Sequence, residues 1–335
     1  MLCKVPLLGW RTFAGVSGQP FISSSCYGIG GTMYGKAKFG EAYARELLSA
    51  LADIAAACNI KVLMDYHELI HPADAAAIET LKHLPGFNAA TQLIMKLGVE
   101  QYCRALYMAN HIRLSHRQLP RIYDRLPPIC EKLGMKIPEL YLQMYPTPNA
   151  YTIGDENNYI VITSGLIDTV GFGEELACVL AHECGHIICR HVHYSTMVQM
   201  MLNYASRFPI IREMQEPLAL AYNAWSRASE LSADRASAFF MGDVIVPTRT
   251  LLRLSAGPTR ITEDLDCEAY IDQMMEAEGL LNSGKWQKLL RDFSEMDEDH
   301  PYTATRVREL VLWGQRDLQK LLPLSNNDSL KRLTR

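Results

Sequence analysis

Residues 175–191 read Glu175-Leu-Ala-Cys-Val-Leu-Ala-His182-Glu183-Cys-Gly-His186-Ile-Ile-Cys-Arg-His191, and no other stretch restricts the chain as tightly. Leu176, Val179, Leu180, Ile187 and Ile188 recur at helical spacing, and only Gly185 weakens a helix. The spacing predicts a buried helix. On it His182 and His186, four positions apart, project from one face with Glu183 beside them. In this His-Glu-x-x-His arrangement two neutral imidazoles and a third protein ligand hold one zinc ion, a fourth position is left for water, and the Glu accepts that water's proton.

The third ligand has to come from elsewhere. Glu230-Leu-Ser-Ala-Asp234 sets two carboxylates four apart on one helical face. Glu230 would complete a His2Glu site, and Asp234 would accept the other N–H of a ligating histidine and fix its tautomer. Alone, such a pair is an ordinary solvated helix face; beside His182 and His186 the metal reading is favoured. Cys184 and Cys189 are the rival extra ligands, and burial as small apolar residues is the simpler expectation for both.

The same pattern occurs a second time, as His67-Glu68-Leu-Ile-His71. Here Pro72 follows at once and turns His71 away from helical backbone, so both histidines are expected on the surface or in a loop. Gly30-x4-Gly35-Lys36 resembles a phosphate loop, but Ala37 stands where a hydroxyl should meet Mg²⁺ and no apolar strand precedes it, so a turn-rich segment is expected.

A net charge of -4 gives no sign of nucleic-acid binding, and nine irregularly spaced cysteines are no disulfide framework, which favours a reducing compartment. The longest apolar window, 47–64, is broken by Asp53, Asn59 and Lys61, and Val5 to Trp10 is too short for a signal-peptide core. The expectation is a cytoplasmic protein without a transmembrane segment, with core packing as the default for the methionine stripe Met197–Leu202 and a substrate-facing surface or peripheral membrane contact as the minority variant.

Along the chain, helices are expected over 39–58, from an Asp74 cap to Leu84, from Asn88 or Thr91 through Leu106 as one long element, and around Leu119–Leu133. Three short β-branched or aromatic runs, 140–145, 149–153 and 159–163, are separated by turn chemistry and predict a small, largely antiparallel sheet. Later helices should turn Leu280, Leu281, Trp286, Leu289, Leu290, Leu310 and Val311 inward, and the tail from Ser325 is polar. The division expected is an amino-terminal extension over 1–70, a principal domain over 71–323 and a tail over 324–335.

Asn149-Ala150, Ile162-Thr-Ser-Gly-Leu166, Glu175 to His186, Arg190-His191, Glu230 to Asp234, and His300-Pro301 with Arg306 stand in the order seen in family 48 of the metallopeptidases, the family of HtpX and the CAAX prenyl proteases, which this chain resembles over roughly 71–315. The resemblance implies an α+β, mainly α-helical, gluzincin-type fold with the small sheet next to the zinc helix. It implies His182, His186 and Glu230 as ligands of one zinc ion, Glu183 as general base and Asp234 as partner of His182. It implies an extended substrate, a peptide or unfolded protein, added along the strand at Asn149 and Ala150. His300 and Arg306 match late positions expected to steady the oxyanion or the site's carboxylates. Many members carry transmembrane helices between the zinc helix and the Glu ligand; none is evident here, which argues against a membrane-embedded substrate. The alternative is a zinc-bound, non-catalytic, chaperone-like module that only captures peptides; an intact Glu183 speaks against it.

Overall fold

The computed structural model describes residues 65–95, 99–204, 209–262, 264–287 and 302–322. The Gly30–Lys36 segment, the helix expected over 39–58, Leu289, Leu290, His300 and the tail from Ser325 lie outside the described residues. The described elements run α1 (Pro72–Lys82), α2 (Phe87–Met95), α3 (Val99–Asn110), β1 (Ile112–Arg113), α4 (Leu126–Leu133), β2 (Glu139–Gln143), β3 (Ala150–Gly154), β4 (Asn158–Thr163), α5 (Ser164–Val170), α6 (Glu174–Ile188), α7 (His191–Tyr204), α8 (Pro209–Met241), α9 (Ile245–Ala256), α10 (Cys267–Leu281) and α11 (Thr303–Trp313). No described helix is long and apolar enough to cross a membrane.

The sheet order is β1-β2-β4-β3. Two of its pairings are antiparallel, but β2 and β4 run parallel, with Leu140 opposite Ile160 and Leu142 opposite Ile162. After β2 the chain crosses to the far edge and returns as the β3–β4 hairpin, which puts β3 at the end of the sheet. The crossing, through Pro146, rests on the start of α5. A Cβ on Gly165 would lie 2.2 Å from the Pro146 carbonyl oxygen, so this position admits only glycine. Thr163 ties the corner together: its hydroxyl accepts from the backbone N–H of Asn149 and of Leu166, and donates to the Thr147 carbonyl.

β4 is buried on both faces. Ile160 and Ile162 point into the main core with Leu166, Leu176, Val179, Leu180, Ala236 and Trp313, whereas on the other side Tyr107 of α3 packs on Tyr141, Tyr151 and Tyr159. Truncating any such buried Ile or Leu to Ala would cost about 2–5 kcal/mol. A second cluster holds Leu81, Phe87, Met197, Val198, Met201, Leu218 and Trp225, so the methionine stripe packs inward as expected.

Several elements differ from expectation. Asp74 is not a cap: His71 caps α1 through its Nδ1, which accepts from Ala73 N–H, and Asp74 is buried in the first turn. Pro72 is the first helical residue, which leaves Asp74 third in the helix, inside its first turn. The helix expected from Asn88 or Thr91 through Leu106 is described as α2 and α3, with 96–98 between them outside the described residues, and Pro127-Pro128 stand in the first turn of α4. Leu280 and Trp286 are exposed, at 63% and 75%. On α10 it is Glu278 that faces in, accepting from Thr305 Oγ1 and Asn282 Nδ2, and a residue two positions on points to the opposite side. The second His-Glu-x-x-His stretch forms a single 3-10 turn at Tyr66–Glu68 and then extended backbone at His71, so its histidines share no helix face.

Candidate metal centre

α6 carries His182, Glu183 and His186, all buried. Glu174 and Glu175 in its first turn complement the helix dipole, and Glu175 is held by Arg249 and Arg253 of α9. The helix ends earlier than expected: Cys189 caps it, Arg190 adopts a left-handed φ of 61°, and His191 opens α7. Gly185 lies against Ala233 and Ala236 of α8. This close approach brings α8's Glu230 and Asp234 up to the two histidines.

His182, His186 and Glu230 offer ligand atoms that all lie within 4.8 Å of one another. Nε2 of His182 is 3.2 Å from Nε2 of His186 and 3.4 Å from Oε2 of Glu230, and His186 Nε2 is 3.2 Å from Glu230 Oε1. Tetrahedral zinc with bonds of roughly 2.0–2.1 Å separates its ligand atoms by about 3.3 Å. The donor set therefore fits such an ion in both chemistry and spacing. The residues are 5%, 9% and 2% exposed, respectively.

Around this set the charges are paired. Asp234 Oδ1 lies 3.1 Å from His182 Nδ1, the nitrogen turned away from the ligand atoms. Arg306 of α11 donates from Nε and Nη2 to Asp234 at 2.8 and 2.6 Å, and its Nη1 is 3.1 Å from Glu230 Oε2. Burial would raise the Asp234 pKa, but Arg306 and His182 outweigh it and hold the carboxyl below its ordinary value. Burial likewise works against a charged His182, yet Glu230 and Asp234 hold its pKa up at about 10. That field favours positive charge at the centre. The Arg306 guanidinium is thus taken up by Asp234 and Glu230.

Glu183 is held from the sheet: Thr152 of β3 donates to its Oε2 at 2.6 Å. Its Oε1 is buried with no hydrogen-bond partner. Asn149 and Ala150, expected to bind substrate, are buried at the start of this strand; the β3 side chain that reaches Glu183 is Thr152. Cys184 lies in the main core and Cys189 packs beside it, and neither joins the ligand group.

Sequence reasoning missed a second set of residues behind His186. His186 Nδ1 meets His191 Nδ1 at 2.9 Å, and His191 Nε2 meets Asp74 Oδ2 at 2.8 Å. Asp74 also accepts from Ser232 Oγ at 2.6 Å and Trp225 Nε1 at 3.0 Å. Burial pushes the Asp74 pKa up, but these hydrogen bonds with His191, Ser232 and Trp225 prevail and hold it below the usual value. The available signal was Pro72, which fixes where α1 starts and so denies Asp74 a capping position.

A mainly helical fold with two histidines and a glutamate converging beside a small sheet is that of a metal-dependent peptidase. The sequence description of peptidase family M48 matches residues 114–313, and the chain belongs to this family. It is 28% identical over 275 residues to the plastoglobule-localized metallopeptidase 48, chloroplastic, of Arabidopsis thaliana, covering 79% of this chain and 78% of that one. It is 26% identical over 268 residues to a protease HtpX homolog of Trichormus variabilis (71% and 86%) and 28% identical over 238 residues to protease HtpX of Legionella pneumophila (61% and 80%). No solved structure gives a significant match. The chain is a metalloprotease-type hydrolase.

Proposed function

We propose that this protein is a zinc-dependent endopeptidase acting on extended peptides or unfolded proteins. The observation that carries the reading is the tetrahedron-sized spacing of His182 Nε2, His186 Nε2 and the Glu230 carboxylate, with the half-satisfied Glu183 next to it. His182, His186 and Glu230 would hold the ion, which when bound supplies Lewis acidity and a water acidic enough to react near neutral pH.

The remaining chemistry belongs to the chain's own groups. Glu183, with Oε2 fixed by Thr152 and Oε1 buried and unpaired, is the base that takes the proton from the attacking water and returns it to the leaving amine. Substrate added along β3 at Asn149 and Ala150 would lie on the strand that supplies Thr152, which sets its backbone near Glu183. Arg306 acts as a positioning residue, keeping the two buried carboxylates of α8 in place. Cys130, Cys178, Cys184, Cys189 and Cys267 carry free thiols.

The test compares wild type with Glu183→Gln in metal content and in cleavage of an unfolded protein. One zinc per chain in both proteins, with turnover lost only in the variant, is the expected result. Undiminished cleavage by the variant would refute the assignment of the base.

A further inference from the structure

We propose that Asp74, acting through His191, selects the tautomer in which His186 can bind metal, so that a carboxylate on α1 is a positioning residue of the centre. The inference rests on the metal reading above and extends it to residues outside the ligand set.

The direction of each hydrogen bond follows from the chemistry of the groups. Trp225 Nε1 can only donate, so Asp74 Oδ1 accepts. The Ser232 hydroxyl accepts the His71 backbone N–H at 2.8 Å, which leaves its own proton for Asp74 Oδ2. Both Asp74 oxygens are thereby acceptors, and His191 must present Nε2–H to Oδ2. With its proton on Nε2, His191 has a bare Nδ1, which faces His186 Nδ1 at 2.9 Å. His186 then carries its proton on Nδ1 and keeps a lone pair on Nε2, the atom directed at His182 and Glu230. The reverse polarity would place a proton on His186 Nε2 and remove a ligand.

The two ligating histidines are thus oriented differently. His182 has a carboxylate, Asp234, directly behind it. His186 has one at second hand, through a neutral imidazole. Histidine ligands commonly pass their second N–H to a carboxylate or carbonyl, and losing that partner weakens metal binding about 10–100-fold.

Asp74→Asn is the informative substitution. With its amide oxygen kept toward Trp225, it presents N–H groups where His191 now donates, and the polarity of the chain inverts. Leu218→Ala serves as control, because it opens the apolar cluster that holds Trp225, on the helix α8 that carries Trp225 and Ser232, without touching the relay. Zinc affinity of the full chain, read by chelator competition, should fall about 10–100-fold in Asp74→Asn and stay near wild type in Leu218→Ala. A variant-free measurement is nitrogen-15 histidine NMR of the zinc-loaded wild type, which should find His191 protonated at Nε2 and His186 at Nδ1. Protonation of His191 at Nδ1, equal losses in both variants, or unaltered affinity in Asp74→Asn would overturn the proposal. If the wild type takes up no zinc, the metal reading fails and the relay with it. If it binds zinc normally and the two variants behave alike, the relay alone is lost.

Discussion

Gly185 faces Ala236 across the contact between α6 and α8, with room for a hydrogen and nothing larger. A Cβ at Gly185 would stand 2.7 Å from the Ala236 Cβ and 3.0 Å from the Ala233 Cα. The glycine that weakens α6 as a helix therefore sets the separation between the histidines and Glu230.

Gly185→Ala gains about 1 kcal/mol of helix propensity, but overpacking costs about 1–3 kcal/mol, and the helices have to part. The expected outcome is weakened zinc retention with stability little changed or lower. Adding Ala236→Gly should recover part of the zinc binding. Full zinc affinity in the single variant, measured by chelator competition, would show that the helices yield without disturbing the centre.

Thr152→Val keeps the shape of the side chain and removes the donor to Glu183. A hydrogen bond to a charged group contributes roughly 1.5–3 kcal/mol, so kcat should fall about 10–100-fold. Thr152→Ser should retain most of the activity. Steady-state kinetics decide the matter, and identical kcat for the valine variant and wild type would count against any role of Thr152 in holding the base.

Arg306→Met leaves Asp234 and Glu230 buried without their cation. Loss of one partner from such a group costs about 3–5 kcal/mol, and saturating zinc should restore part of it because the ion supplies positive charge to Glu230. Arg306→Lys should fall between, since an ammonium cannot reproduce the two-pronged contact with Asp234. Urea unfolding with and without zinc reads both effects.

Glu139 answers to acid. Burial raises its pKa, but Arg104 and Tyr141 prevail and hold it below the ordinary value. Its stabilisation is therefore present above the unfolded pKa of about 4.3 and is lost as pH falls through the lower folded value. With its side chain 28% exposed, the contribution at neutral pH is about 1 kcal/mol or less. Glu139→Gln should be slightly less stable at pH 7 and show a shallower decline toward pH 3. Parallel stability curves for the two proteins would mean that Arg104 contributes nothing.

The centre was legible because its members obey short-range rules. His182 with His186 and Glu230 with Asp234 are each four apart on a helix, and that spacing survives in the structure. Asp74 obeyed no such rule: its contact with His191 spans 117 positions and only the packing of α1 against α7 and α8 creates it. The strands at 139–143, 150–154 and 158–163 could be read from β-branched and aromatic runs. Their parallel β2–β4 pairing could not, since it depends on where the chain crosses after Pro146. Leu280 failed as a core residue because Glu278 found partners in Thr305 and Asn282 and turned that face of α10 inward.

α8 runs unbroken from Pro209 to Met241, and it lends Leu218 and Trp225 to one apolar cluster and Ala236 and Phe239 to the other. A single rod thus pins both clusters, with Glu230 and Asp234 between them. Neither half can melt without tearing the rod from the other, so heat should dismantle the apolar interior and the ion-holding carboxylates in one cooperative event.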